Sequence, residues 1–542
     1  MPLLAVRRSP DTPASDRMRC LAARSLLARG STSAAAFRLA VALVLTSWSA
    51  APLSAQGTGL GPAPASLTQA DYAARRDSLL AHIDSGVVIA PGARESVEHY
   101  PSFRQHPSFR YLTGFLQTDA TLILVKRGGT VTGTIFIEPP APRTEFYMGT
   151  RIRYDELASR LGLAARSKDD VNVVLDSLAA THLPYYFVSD AEADEFVAND
   201  SLSFGRALAR RLGAAHPGID IRDATPIIDA LRAKKSAAEI ALVKRAADIS
   251  GLGHRAAMQA LAPDMNEFEI QAIMEYTFRR NGADRPSYAS IVGSGPNSTT
   301  LHYDRDDRVM HAGEVLVMDV AAEYQGYAAD ITRTLPVGGT FTPDQRVIYQ
   351  IVRDAQAAGE RQVKPGVPVK QEVDSIFAVV GAGLARLGLI DSVGATVEAP
   401  AGFCRSVNTR CPQVSLFFPH GPGHGLGLDV HDPAQWYTAP GQFGVGDVFT
   451  IEPGIYIRPG ILDILADSPG NHAFMARVRP LLQRYANIGV RIEDNYVVTP
   501  TGLERLSMVP REIHEIEAIM RHHLATPPPR DAKLVGSYPG PN

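Results

Sequence analysis

The stretch VLVMDVAAEYQGYAADITRTL, residues 315–335, decides how this chain is read. Val315, Leu316, Val317 and Met318 form the kind of apolar run that a buried strand needs, and the run ends on Asp319. Asp330 follows the Gly326 turn signal on the returning segment, so a hairpin would bring the two acids to one place. Two adjacent carboxylates repel. They stay ionised together only around a positive charge, usually a metal ion; otherwise one takes up a proton. On these residues alone, two solvated aspartates on a surface hairpin remain an alternative reading.

Three later stretches carry groups of the kind such a pair requires. FFPHGPGHGLGLDVHD (417–432) offers His420, His424 and His431, among glycines that let the backbone pass close to something. DVFTIEPGIYI (447–457) puts Glu452 at the end of a buried strand, where an unpaired carboxylate is costly. IGVRIEDNYVVT (488–499) puts Glu493 in the middle of an alternating strand, beside Arg491. Each has a plainer explanation by itself: loop histidines, a partly exposed strand end, a glutamate paired with its neighbouring arginine.

Taken in order, Asp319, Asp330, His424, Glu452 and Glu493 resemble the metal-binding signature of the creatinase-like, or pita-bread, metallopeptidases, and in particular that of aminopeptidase P. HYPSFRQHPSFRYLTGF (99–115) is similar to the tyrosine- and leucine-rich word of that family's N-terminal domain. The resemblance implies an α/β N-terminal domain followed by an α+β pita-bread catalytic domain. It implies hydrolysis of the bond between an N-terminal residue and a following proline, with peptides carrying proline in second position as substrates. Four carboxylates and one imidazole suit two hard or borderline divalent ions, with Mn²⁺ first and Zn²⁺ or Co²⁺ as alternatives. By the resemblance, Asp330 and Glu493 bridge the ions, Asp319 completes one, and His424 with Glu452 completes the other. Glu452 also acts as general base, and Arg491 orients a bridging carboxylate and lies at the substrate site. His302, in IVGSGPNSTTLHY (291–303), matches a position at the scissile region; His420 and His431 match residues that stabilise the tetrahedral intermediate and hold the substrate. Tyr288 and Tyr456 are read either as substrate-pocket residues or as core aromatics. A prolidase-type dipeptidase shares the ligands, and a non-catalytic pita-bread scaffold is the alternative from a different class.

The rest of the 542-residue chain fits around this. Residues 1–55 carry seven Arg and two acids, then a short apolar stretch around Leu39 to Leu45 and small residues ending in Leu53-Ser54-Ala55, the pattern of a secretory signal peptide. An exported, periplasmic or secreted protein is expected, with no stable membrane span after cleavage, because the apolar run is shorter than the ~20 residues a spanning helix needs. Losing seven positive and two negative charges takes the net charge from -3 to -8, which argues against nucleic acid as a partner. Cys404 and Cys411 are left as an even pair that can close a small loop, worth roughly 2 to 2.5 kcal/mol, or stay reduced. Residues 56–69 read as a linker and 526–542 as a disordered tail.

Alternating apolar strands and helices over 70–228 predict a covered mixed sheet. From 229 to 525 the chain reads as helices packed on an antiparallel-rich sheet. Capping boxes at Ser236/Glu239 and Asn266/Glu269 open the first two helices, and two more are expected over 343–362 and 369–387. Two stretches depart from the family pattern: 399–412, which holds the cysteines, and 458–487, which reads as a loop or short helix near the site mouth. They are either walls that restrict access and favour short peptides, or packing elements of a homo-oligomer.

Overall fold

Val87, Val88, Ile89 and Ala90 make an unbroken apolar run, which suits a strand covered on both faces. In the computed structural model they lie in β1 (Gly86–Pro91), at the centre of a six-stranded sheet. The other strands are β2 (Thr121–Arg127), β3 (Thr130–Ile137), β4 (Ala164–Ser167), β5 (Tyr185–Phe187) and β6 (Ile221–Asp223), in the order β4-β3-β2-β1-β5-β6. β1 runs antiparallel to β2 and parallel to β5. Alternate residues feed two cores: Val88, Ala90, Leu122, Leu124 and Ile135 on one face, Val87, Ile89, Ile123 and Phe136 on the other. Helices α1 (Gln69–Ala81), α2 (Pro107–Thr113), α3 (Pro142–Met148), α4 (Tyr154–Leu161), α5 (Val171–Ala179), α6 (Phe204–Ala215) and α7 (Thr225–Ala233) belong to this half.

The structure describes residues 60–94, 103–189, 204–404, 409–433 and 441–522, which fall in one compact unit. The expected signal peptide, the start of the linker and the expected disordered tail lie outside the described residues. Among the described residues no helix is long and apolar enough to cross a membrane.

The second half opens with α8 (Ala237–Ala260) and α9 (Glu267–Arg280). Both capping boxes form: Ser236 N donates to Glu239 Oε2 at 2.9 Å, and Asn266 N to Glu269 Oε2 at 2.7 Å. Next come β7 (Arg285–Pro286) and β8 (Ile291–Ser294), then β9 (Val315–Asp319), β10 (Ala322–Tyr324), β11 (Tyr327–Ala328) and β12 (Thr332–Pro336). The hairpin expected over 315–335 is nested: β9 pairs β12, while β10 and β11 form a tip that turns at Gln325 and Gly326, both at positive φ. Helices α10 (Pro343–Gln362) and α11 (Val369–Arg386) pack on each other, and α10 also packs on the later strands. The strands after α11 are β13 (Thr396–Glu398), β14 (Arg410–Pro412), β15 (Val448–Ile451), β16 (Gly454–Ile457), β17 (Ile488–Arg491), β18 (Asp494–Thr499) and β19 (Gly502–Arg505), of which β15, β16 and β17 meet α10.

The two halves share a core, since Tyr327, Ala328, Leu426, Leu428 and Val448 join the apolar residues of the first sheet. Arg75 of α1 locks the contact: its Nη2 lies 2.8 Å from Glu239 Oε1 and 3.1 Å from the Tyr327 hydroxyl.

The stretch 458–487 corrects its expectation. It holds a 3-10 turn, Ile461–Ile464, and a full helix α12 (Pro469–Arg484) whose Phe474, Val478 and Leu482 enter the core. It leaves β16 at Ile457 and rejoins β17 at Ile488, the ends of that ladder remote from Glu452 and Glu493. Asn471 of α12 donates to Glu398 O at 2.8 Å, so this insertion leans on β13 and with it on the cysteine-bearing hairpin β13/β14. Cys404 and Cys411 are joined in a disulfide with a Cα separation of 5.7 Å. The last described helix is α13 (Ile513–Met520).

Candidate metal centre

Five acidic or imidazole side chains meet because three local structures aim them at one chamber. The first is the nested hairpin: Asp319 ends β9 opposite Thr332, and Asp330 lies two residues before β12. Asn495 fixes the Asp330 backbone from the opposite side, accepting its N–H at 3.2 Å and donating to its carbonyl.

The second is a matched pair of breaks. Glu493 was expected inside a continuous strand, but the ladder stops at Ile492 and Glu493 and resumes at Asp494. Glu452 and Pro453 interrupt the partner between β15 and β16 at the same level, since Ile451 pairs Asp494 and Gly454 pairs Arg491. The two interruptions let the strand pair bend, and both carboxylates turn to the same side of it. The third is the histidine word, which runs beside β15: Thr450 N donates to His424 O at 2.9 Å, and Glu452 N to Pro422 O at 2.6 Å.

His424 Nε2 then lies 3.3 Å from Asp330 Oδ2, 3.6 Å from Glu452 Oε1 and 3.8 Å from Glu493 Oε1. Its Nδ1–H donates to Gly425 O at 3.1 Å, which orients the ring and leaves Nε2 to face the carboxylates. Asp330, His424 and Glu493 offer ligand atoms that all lie within 4.8 Å of one another. Asp319 joins them through Tyr288, whose hydroxyl is 2.6 Å from Oδ1 of both Asp319 and Asp330. A hydroxyl has one proton to give, so one of those two contacts needs a proton from a carboxyl group.

The electrostatics set Asp319 apart from the other three carboxyls. Burial opposes ionisation of Asp319, but the Arg491 guanidinium, helped by the Tyr288 hydroxyl, outweighs it and holds the group below the usual range. Burial, followed by repulsion from Asp319, pushes Asp330 well above that range. Glu493 is raised by burial and then by Asp330, and Glu452 by burial and then by Glu493. Thr332 Oγ1 donates to Glu493 Oε2 at 2.7 Å, while Glu493 Oε1 is buried without a donor. Three raised carboxyls, an imidazole nitrogen facing them and a buried oxygen with no donor form a cavity that lacks positive charge. An all-oxygen and imidazole donor set of this kind fits divalent cations.

The other expected residues ring the chamber. Arg491 is buried and fully engaged: Nη2 to Asp319 Oδ2 at 2.6 Å, Nη1 to Tyr456 Oη at 2.9 Å, Nε to Thr332 Oγ1 at 3.2 Å. These contacts tie Asp319, Tyr456 and Thr332 to one guanidinium, as an orienting group would. Tyr456 in turn donates to His420 Nε2 at 2.8 Å, and His420 Nδ1–H donates to Gly421 O at 2.7 Å. Burial, then the nearby Arg491 charge, lowers His420 to about 3, so the ring is neutral. The same holds for His424, through burial and then His431. His431 packs edge-on against His424, with ring centroids 4.4 Å apart. His302 lies on the loop after the 3-10 turn Gly295–Thr299 with part of its ring open to solvent, and partial desolvation followed by the Arg491 charge lowers it as well.

Sequence reasoning missed Thr332, Arg333 and Asn495, which hold Asp330 and Glu493 from behind. Arg333 is completely buried, and its Nη1 donates to Thr332 O and to Glu493 O at 2.8 and 2.7 Å. The signal was present as a lone arginine within the apolar hairpin word ADITRT.

Residues 241–500 match the model of metallopeptidase family M24, and residues 72–185 match the aminopeptidase P N-terminal domain. The Xaa-Pro aminopeptidase of Escherichia coli K12 is 32% identical over 464 residues, covering 84% of this chain and 98% of that one. This chain belongs to the aminopeptidase P group of family M24. The Xaa-Pro aminopeptidase of Haemophilus influenzae is 34% identical over 428 residues, 78% of this chain and 89% of its own. Among solved structures, an E. coli aminopeptidase P variant in complex with substrate superposes with a TM-score of 0.69 at 28% identity, covering 84% of this chain and 99% of its own. Proline aminopeptidase P II from Yersinia pestis does so with 0.67 at 32% identity, covering 84% and 100%. The fold of the aminopeptidase P group, an α/β N-terminal domain ahead of a pita-bread domain, is therefore the fold of this chain.

Proposed function

We propose that this chain is an Xaa-Pro aminopeptidase, a metal-dependent hydrolase that cuts the bond between an N-terminal residue and a following proline. One observation carries the reading: Asp330, His424, Glu452 and Glu493 converge around a chamber closed by Asp319, in a chain that covers nearly the whole length of relatives named for that activity.

In this reading Asp319, Asp330, His424, Glu452 and Glu493 would together hold two divalent ions. Mn²⁺ is the first choice, with Zn²⁺ or Co²⁺ able to occupy the same donors. When bound, the ions supply Lewis acidity toward the scissile carbonyl and toward water. The chain's own groups do the rest. Glu452 takes the proton of the attacking water and passes it to the leaving proline nitrogen. The sequence Arg491, Tyr456, His420 fixes the His420 ring through consecutive hydrogen bonds. His302 and His431 face the substrate, where an imidazole N–H can donate to the developing oxyanion; one such donor is worth on the order of 10² to 10³ in rate. The Cys404–Cys411 disulfide supports a place outside the cytoplasm, since such bonds persist in oxidising compartments.

The test is release of the first amino acid from Xaa-Pro-Yaa and from Xaa-Pro after loading the protein with Mn²⁺. Cleavage of the longer peptides is expected. Activity confined to dipeptides would make the chain a prolidase, and a metal-free, inert protein would make it a scaffold. Asp330→Ala and Glu493→Ala should each abolish turnover in a folded protein; full activity in either refutes the assignment.

A further inference from the structure

The loop that carries His424 and His431 is fastened by charges outside the metal chamber. Asp432, next to His431, is 2% exposed. Its N–H donates to Gly425 O at 2.8 Å, and its Oδ2 accepts from Leu428 N at 2.8 Å, so residues 425–432 close into a ring. Two cations from the junction between α7 and α8 meet it there. Lys235 Nζ donates to Asp432 O at 2.6 Å, and Arg232 Nε lies 3.0 Å from Asp432 Oδ1. Both cations are more than nine-tenths buried. Arg232 sits on α7, the last helix of the first half, where its Nη1 also donates to Ser108 Oγ of α2 at 3.0 Å. A second tie comes from that half, where Arg104 Nη2 lies 2.6 Å from Asp429 Oδ1.

The glycines of the word HGLGLDVHD belong to this anchor. A Cβ on Gly427 would stand 2.4 Å from Asp432 Oδ2 and 2.7 Å from Lys235 Cε; one on Gly425 would stand 2.7 Å from Asp432 O. The backbone is therefore bare where the anchor presses against it. A buried ion pair is weak evidence for stability, because well-packed apolar groups serve that purpose equally well or better. What charges add is a defined position for the atoms they hold.

We propose that Asp432, held by Arg232 and Lys235, is a positioning residue for His431, and that docking of the first domain thereby sets the substrate side of the site. The proposal rests on the Xaa-Pro aminopeptidase reading for His431's role, and one arm of its test stands apart from that reading.

The experiment uses the full mature chain loaded with Mn²⁺ and the variants Asp432→Asn, His431→Ala and their combination, assayed on an Xaa-Pro-Yaa peptide. Asp432→Asn should lower kcat/KM about ten- to a hundredfold, the scale of a small misplacement of an active-site group. The double variant should be no slower than His431→Ala alone, because residues that act through one another do not contribute independently. Losses that multiply overturn the proposal. Lys235→Met carries the same cycle and replaces Asp432→Asn if that variant does not fold. In the independent arm, run on metal-free protein, the imidazole resonance of His431 in histidine-labelled protein should shift or broaden in Asp432→Asn and in Lys235→Met. An unmoved resonance overturns the positioning claim even if the peptidase reading stands, whereas an inert wild type with a moved resonance strikes that reading alone.

Discussion

Arg491 Nη2 lies 2.6 Å from Asp319 Oδ2, with both side chains buried. This contact makes Asp319 unlike the other three carboxylates of the chamber, because it alone has a cation of the protein's own. Removing one partner of a buried pair leaves a charge without compensation, at a cost of about 3 to 5 kcal/mol. Arg491→Met should therefore lower the urea stability of the metal-free protein by that order, and it should weaken metal binding by disordering Asp319. Arg491→Lys should recover only part of the loss, since an ammonium cannot also reach Tyr456 and Thr332 as the planar fork does. A metal-free midpoint unchanged in Arg491→Met would show that the contact contributes nothing.

Arg333 and Asp494 make a second buried pair, 2.7 Å apart and both inaccessible. Here the arginine has five partners. Nε donates to Pro510 O, Nη1 to Thr332 O and Glu493 O, and Nη2 to Val509 O and Asp494 Oδ1, all at 2.7 to 2.8 Å. Asp494 would not be orphaned by its loss. Burial raises that carboxyl, but Arg333, Arg511 and Arg505 together hold it down to about 2, and Ser507 also donates to it. The cost of Arg333→Met thus falls mainly on four backbone carbonyls, one of them that of Glu493. A loss of roughly 3 kcal/mol or more in urea unfolding is expected, along with fewer metal ions bound per chain. A loss below about 1 kcal/mol would mean that water replaces the guanidinium.

Much of this was legible before the structure, and the reasons are local. Strand β1 follows from an unbroken apolar run, and the starts of α8 and α9 follow from capping boxes three residues wide. The five side chains that meet in the chamber were legible as an ordered word pattern. The break at Ile492 and Glu493 was not, because it depends on a matching break in a strand some forty residues earlier. Helix α12 was hidden by Pro469, Gly470 and Pro480, which read as loop residues although Pro469 sits where a helix tolerates it. The contacts of Arg333 with Glu493, of Asn495 with Asp330 and of Asp432 with Lys235 span 160 residues or more, and no spacing rule brings such partners together.

The disulfide offers a separate check on stability. Cys411 is buried in β14 opposite Val397, and the hairpin it belongs to supports the α12 insertion through Asn471. Closing so short a loop is worth roughly 2 to 2.5 kcal/mol by chain entropy. The double variant Cys404→Ala, Cys411→Ala should unfold at lower urea by that amount while turnover stays near the wild-type value, because no ligand is touched. A fall in turnover larger than the fall in folded fraction would show that this hairpin acts on the site.

The chamber's titration gives the sharpest test of metal binding. Asp330, Glu452 and Glu493 have folded pKa values well above their ordinary 3.8 and 4.5. The metal-free fold therefore holds more protons than the unfolded chain once pH exceeds those ordinary values, and its stability falls as pH rises. His420 and His424 act in the opposite sense. Lowered to about 3 from 6.5, they stay neutral in the fold while the unfolded chain charges, so they cost stability as pH falls below 6.5. Asp319, held low, changes the balance only in acid. Above 6.5 the histidines no longer oppose the carboxyls. Above about pH 6.5 the chelator-treated protein should lose melting temperature as pH rises toward the raised carboxyl values, while the Mn²⁺-loaded protein does not, because the ions keep the carboxylates ionised in the fold. Metal affinity should rise over the same range, with protons released on binding. Parallel melting curves with and without Mn²⁺ across that range would mean that the raised carboxyls are not the groups the metal meets.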